Sequence, residues 1–138
     1  MKFFFDHNLP PQLAHAINKL SVAEPAIKDV IALVDRFPRD VKDDLWITEL
    51  GQEGGWIVIT QDNRITLRSP EREALRKAGL ITFVLAKSWA SQPFWIKASN
   101  LVRWWPNIIE QALRIQGGAT FRVPWRLQGK GKFEQVKL

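Results

Sequence analysis

Three acidic residues sit where a carboxylate could do chemistry. Asp6 ends the apolar opening of "MKFFFDHNLPPQL", Asp44 lies in "DDLWI", and Asp62 follows "GWIVIT". Carboxylates gathered in one place repel one another, so such a group calls for a cation or for raised pKa values. Hard oxygen donors with room for water suit Mg²⁺ or Mn²⁺. A cation of that kind activates water and neutralises charge developing on a scissile phosphate, which makes phosphodiester hydrolysis the reaction these residue types suggest. Each acid also has an ordinary structural explanation. Asp6 could cap a turn, Asp43 or Asp44 could be helix N-caps, and Asp62-Asn63 could be turn chemistry.

The neighbours of these acids extend the pattern. Asn8 and Thr60 could orient Asp6 or Asp62 through hydrogen bonds, and Asn63 could do the same or reach phosphate through water. Arg64 and Arg68 follow the third acid closely and could hold substrate phosphates, or be solvated loop charges. His7 is expected to be structural, because its side chain should point away from that of Asp6 if the strand continues.

Alternating strands and helices must position these groups. The run Met1 to Phe5 predicts a buried parallel strand, and Pro10-Pro11 a helix entry followed by Leu13, Ala16, Ile17 and Leu20 at helical spacing. "DVIALVD", Asp29 to Asp35, predicts a second strand. A helix is expected from Asp43 or Asp44, with Leu45, Ile47 and Leu50 as its apolar contacts and Gly51 to Gly55 as its stop. "GWIVIT" is the clearest strand, and Ser69-Pro70-Glu71 reads as N-cap, first-turn proline and dipole-complementing acid of a helix ending at Gly79. "LITFVLA" predicts a fourth strand, Gln92 to Ile115 a helical region broken near Pro106, and "ATFRVP" a fifth strand. The fold class is therefore α/β, with a mainly parallel sheet of four to five strands covered on both faces. In such sheets ligands gather beyond the carboxyl ends of the strands, where Asp6 and Asp62 both fall.

Composition narrows the function. The 138 residues are expected to form a single domain, 1–138, with a basic tail from about 124 that could be a mobile arm contacting RNA, a partner-binding strand or a plain floppy end. The chain has no cysteine, which excludes disulfides, thiolate metal sites and a cysteine nucleophile. A formal charge of +6 favours an anionic partner, nucleic acid ahead of membrane. No apolar run approaches a bilayer span and no secretory pattern is evident, so a cytoplasmic location is expected. Walker-type phosphate loops and G-x-S-x-G elbows are missing from the sequence, and "GQEGG" precedes a strand rather than a helix. Seven tryptophans stand against no tyrosine, and most are expected to pack rather than to stack on bases. Those of the long helical region could form a dimer interface or cover the sheet.

"FFFDHNLP", then "DDLWI", then "WIVITQDNRI" and "PEREALRKAGL" resemble the PIN-like domains of VapC-type toxins, in particular the compact branch whose first motif reads D-x-N-L-P. The resemblance spans Lys2 to Trp89. It implies a three-layer PIN-like sandwich and a Mg²⁺- or Mn²⁺-dependent endoribonuclease, the toxin of a type II toxin–antitoxin pair, often dimeric and neutralised by a cognate antitoxin. By motif position Asp6, Asp44 and Asp62 take the places of the family acids, with Asp43 as the alternative to Asp44. A fourth acid has no clear equivalent, Glu71 being nearest. That departure supports the alternative of a non-catalytic nucleic-acid- or protein-binding module on the same scaffold. Clustered acids also serve phosphotransfer receivers, for which Lys87 occupies a suitable place, although charge and motif order oppose that third reading.

Overall fold

The computed structural model describes residues 1–129 and 131–138, and of Ser69 only the backbone. In chain order the elements are β1 (Lys2–Phe5), α1 (Pro11–Leu20), β2 (Asp29–Ala32), α2 (Asp43–Glu53), β3 (Trp56–Thr60), α3 (Ser69–Ala78), β4 (Ile81–Leu85), α4 (Lys87–Ala90), α5 (Phe94–Arg114), β5 (Ala119–Val123) and β6 (Glu134–Val136). The sheet runs β2-β1-β3-β4-β5-β6, with β1 to β5 parallel and β6 antiparallel to β5. Strand order therefore reverses between β1 and β3, and a crevice opens at such a reversal beyond the carboxyl ends of the two strands.

The three phenylalanines of β1 alternate between the two faces of the sheet. Phe3 and Phe5 join Leu13 and Ile17 of α1 and Trp105 and Ile108 of α5 in one core, and Phe4 joins Trp46 and Leu50 of α2 and Leu75 of α3 in the other. Aromatic contacts lock both sides, with Phe3 and Trp105 ring centroids 4.6 Å apart and Phe4 stacked on Trp46 at 4.9 Å. This is the expected three-layer α/β arrangement with a mainly parallel sheet. No helix among the described residues is long and apolar enough to cross a membrane.

Several sequence expectations need correction. The sheet has six strands rather than four or five, because Glu134–Val136 within the basic tail pairs with β5. Three residues without a periodic pattern carry no strand signal; the pairing is supplied by the β5 edge, with an Arg122–Glu134 ion pair at 3.1 Å. The second strand stops at Ala32, since the Asp35 carboxylate accepts the Ala32 N–H at 2.8 Å and turns Leu33–Asp35 into a 3-10 segment. Helix α2 does stop within Gly51 to Gly55: it runs through Gly51 to Glu53 and is capped by Gly54, whose φ of 78° suits glycine. Helix α3 begins at Ser69, with Arg68 in the N-cap position, and the Ser69 side chain lies outside the described residues. Helix α5 is not broken at Pro106. The proline and Val102, whose carbonyl loses its partner, both face solvent, while Leu101, Trp104, Trp105, Ile108 and Ile109 bury the opposite face through the same turns.

Gly51 sits where α2 crosses α3. A Cβ there would lie 2.6 Å from the Ala78 Cβ and 2.9 Å from its Cα, so the steric clash outweighs the usual helical preference for alanine. Gly51→Ala is expected to destabilise the protein by about 1–3 kcal/mol, read as a lower midpoint in thermal or urea unfolding.

Candidate functional site

Strand β1 ends at Phe5 because the next residues turn: the Asp6 carbonyl accepts the Leu9 N–H at 3.0 Å. Asp6 itself is only 1% exposed, and its N–H donates to the Ile59 carbonyl of β3 at 2.9 Å. A buried carboxylate must be compensated. Asp6 Oδ2 accepts the Thr60 hydroxyl at 2.8 Å, and Oδ1 accepts the His7 N–H at 2.7 Å and lies 2.8 Å from His7 Nδ1. The imidazole thus folds back onto Asp6. The opposite orientation was expected only if the strand continued; it ends at Phe5, so alternation no longer applies.

The second acid comes from the start of α2. Asp43 is partly buried and accepts the Trp46 indole N–H at 3.0 Å, whereas Asp44 beside it is exposed. One ligand atom from each of Asp6, His7 and Asp43 lies within 4.8 Å of the others. That span is about twice the ~2.0–2.6 Å ligand distance of a hard divalent ion. Asp44 is outside this group. The sequence did contain a signal for Asp43. Trp46, Ile47 and Leu50 are the buried face of α2, and Asp43 precedes them at i+3, i+4 and i+7; Leu45, expected to join that face, is exposed.

Asp62 stands next to this group rather than in it. Its Oδ1 accepts the Arg64 N–H at 3.0 Å and Arg64 Nε–H at 3.2 Å, capping the 3-10 turn Asn63–Thr66, while its own N–H donates to Thr60 Oγ1 at 3.0 Å. Thr60 therefore holds both Asp6 and the backbone of Asp62. Asn8 accepts the Gln61 N–H at 3.3 Å, and Asn63 donates to the carbonyls of Gln61 and Leu85 at 3.3 and 2.9 Å. These two amides fasten the loops after β1, β3 and β4 to one another and do not touch the acids. Arg64 is committed to Asp62, and Arg68 is exposed. Glu71 lies in the first turn of α3, with one carboxylate oxygen buried and without a hydrogen-bond partner among the described residues.

The electrostatics show charge in need of a counter-charge. Burial pushes the Asp43 carboxyl above the usual carboxylate range, against the Trp46 hydrogen bond, and the charges of Asp6 and Asp62 push the same way. The hydrogen bond to Asp6 raises the His7 pKa, against burial, with added help from the charges of Asp6, Asp43 and Asp62. When protonated, His7 balances the acids in part, and a divalent ion would balance them further. The Gln61 Oε1 is buried and has no hydrogen-bond partner among the described residues. Paired carboxylate oxygens, from Asp6 and Asp43, are the hard donors that suit Mg²⁺ or Mn²⁺, so the residues present fit such an ion. A cleft of about 260 Å³ leads to Asp6 and His7, and Arg39, which the sequence did not single out, lines it together with Leu9 and Leu33. Only the folded path of the loop after β2 brings Arg39 there.

A mainly parallel α/β sheet here gathers acids beyond the strand ends beside its order reversal, the usual place for a ligand site in such folds. Residues 1–87 match the model of a family described as a PIN like domain, and the chain belongs to that family. Comparison with curated proteins gives no match. Comparison with solved structures gives none either.

The Thr60 hydroxyl is the contact on which this arrangement rests. Thr60→Val keeps the shape but leaves a buried carboxylate and the Asp62 N–H short of a partner, a cost of about 1–3 kcal/mol. Urea unfolding is expected to report that loss, and Thr60→Ser to recover most of it.

Proposed function

We propose that this protein is a divalent-metal-dependent endoribonuclease acting as the toxin of a type II toxin–antitoxin pair. The observation that carries the reading is the convergence of Asp6 and Asp43, from separate parts of the chain, beyond the carboxyl end of β1. Membership of the PIN-like family supports nuclease chemistry. The toxin assignment, the cognate antitoxin, the homodimer and the cytoplasmic location rest on the resemblance of the D-x-N-L-P and "WIVITQDNRI" segments to VapC-type toxins.

In this reading Asp6 and Asp43 hold Mg²⁺ or Mn²⁺, with His7 and Asp62 beside them, so Asp43 takes the part the motif position gave to Asp44. The ion, when bound, supplies Lewis-acid stabilisation of phosphoryl oxygens and lowers the pKa of water. The chain does the rest by positioning. Thr60 and the His7 N–H fix the Asp6 carboxylate. Trp46 fixes Asp43 through its indole N–H. Arg39, at the cleft, is placed to take a phosphate of the strand, a task for which Arg64 would first have to leave Asp62.

The commitment of Asp62 to Arg64 favours a second reading, a binding module of the same fold without chemistry. Metal titration separates the two. Mn²⁺ at about 100 times its Kd should stabilise the folded protein by about 2.7 kcal/mol, and Asp43→Asn should abolish that gain. Cleavage of single-stranded RNA should require the metal, stop with chelator, and fall at least about 100-fold, roughly 3 kcal/mol, in Asp6→Asn and in Asp43→Asn, with Asp44→Asn close to wild type. Absence of both a metal-induced shift and metal-dependent cleavage would leave the binding module.

A further inference from the structure

A groove of about 470 Å³ lies between the first half of α5 and the loop that follows β5. Its floor is Trp125, whose carbonyl accepts Asn100 Nδ2–H at 2.7 Å and Trp104 Nε1–H at 3.4 Å, and whose ring meets Trp89 edge-on with centroids 4.7 Å apart. One wall is Trp95. Five other tryptophans, Trp46, Trp56, Trp89, Trp104 and Trp105, are buried, but Trp95 is 81% exposed. Phe94 braces it edge-on, with ring centroids 5.4 Å apart. Arg103 and Arg126 flank the groove, and none of the described residues that line it is acidic.

The position of the groove matters as much as its lining. The carboxyl ends of the parallel strands β1, β3, β4 and β5 share one edge of the sheet. Hydrogen bonds run along that edge from one strand end to the next. Thr60 reaches Asp6, Asn63 reaches the Leu85 carbonyl, Trp89 Nε1–H reaches the Val123 carbonyl at 3.0 Å, and Asn100 reaches Trp125. Three strand spacings of ~4.8 Å put the end of β5 about 14 Å from the end of β1. An extended polynucleotide covers such a distance in a few nucleotides.

We propose that this groove is a second subsite for single-stranded RNA, away from the reacting phosphodiester. A base stacks on the open face of Trp95, and Arg103 and Arg126 take the flanking phosphates. An exposed, braced aromatic ring beside cations is what unpaired bases and their backbone require, and a duplex, whose bases are already stacked, offers it no face. Two guanidinium groups without a counter-charge in the lining, on a chain of net charge +6, favour a polyanion over a protein segment. The substrate class rests on the ribonuclease reading, but the subsite can be tested without cleavage.

The test is fluorescence anisotropy of a labelled single-stranded RNA of about 12 nucleotides, within the usual site sizes, with the full chain in excess chelator so that nothing is cut. Trp95→Ala is expected to weaken binding about tenfold, and Trp95→Phe to stay near wild type. Arg103→Ala/Arg126→Ala should flatten the dependence of log K on log salt by about 1.4, about 0.7 for each lost phosphate contact. Wild-type affinity and salt slope in both Trp95→Ala and the double arginine variant would overturn the subsite and leave the groove to a protein partner, whatever the outcome of the cleavage assay. If these variants do weaken binding while wild type with metal cuts no RNA, the subsite stands and the nuclease reading falls.

Discussion

The burial of one negative charge organises this protein. Asp6 lies under the surface at the end of a strand made of phenylalanines, where a bare carboxylate would be too costly to keep. Its compensation comes from two sources: the turn that follows it, through the His7 N–H, and the adjacent strand, through the Thr60 hydroxyl. β1 and β3 must therefore be neighbours and must end together, although fifty residues of chain separate them. With β2 paired on the other side of β1, this places β1 at the reversal of strand order. Asp43 arrives by a different route. Phe4 stacks on Trp46, and Trp46 in turn donates its indole N–H to Asp43, so packing on one face of the sheet fixes the second acid.

The two acids are held in unlike ways. Asp6 is supplied with donors and buried; Asp43 has one donor and partial burial, and its carboxyl is pushed above the ordinary range. His7 sits between them as a compensating cation when protonated. Asp62 contributes its charge but spends one oxygen on Arg64. Such a set is balanced only in part by the chain, which is the condition under which a divalent ion gains most from binding.

Much of this could be read from residue order. Alternating strands and helices, the acid closing the phenylalanine run and the acid after "GWIVIT" all follow from patterns in a few neighbouring residues. The choice between Asp43 and Asp44 was open in principle, because the stripe of Trp46, Ile47 and Leu50 points back to Asp43; Leu45 concealed it by offering a second apolar position that turns out to face water. The orientation of His7 was not legible, because the end of β1 is set by a turn closing on the Asp6 carbonyl, an event that alternation cannot report. β6 and Arg39 were illegible for a different reason. Each owes its position to distant partners, β6 to the edge of β5 and Arg39 to the path of a loop, and neither carries a local pattern.

The phenylalanine triplet has one more consequence. Phe3, Phe4 and Phe5 are chemically identical, and both faces of the sheet are oily, so sliding β1 by one residue would change little in the apolar cores. Hydrophobicity alone leaves that strand free to mispair. What makes the slipped alignment intolerable is the polar end: a shift would drag a carboxylate away from its hydroxyl and into hydrocarbon. The acid of the crevice thus doubles as an alignment pin for a degenerate strand, and the chemistry and the threading of the chain are secured by the same atoms.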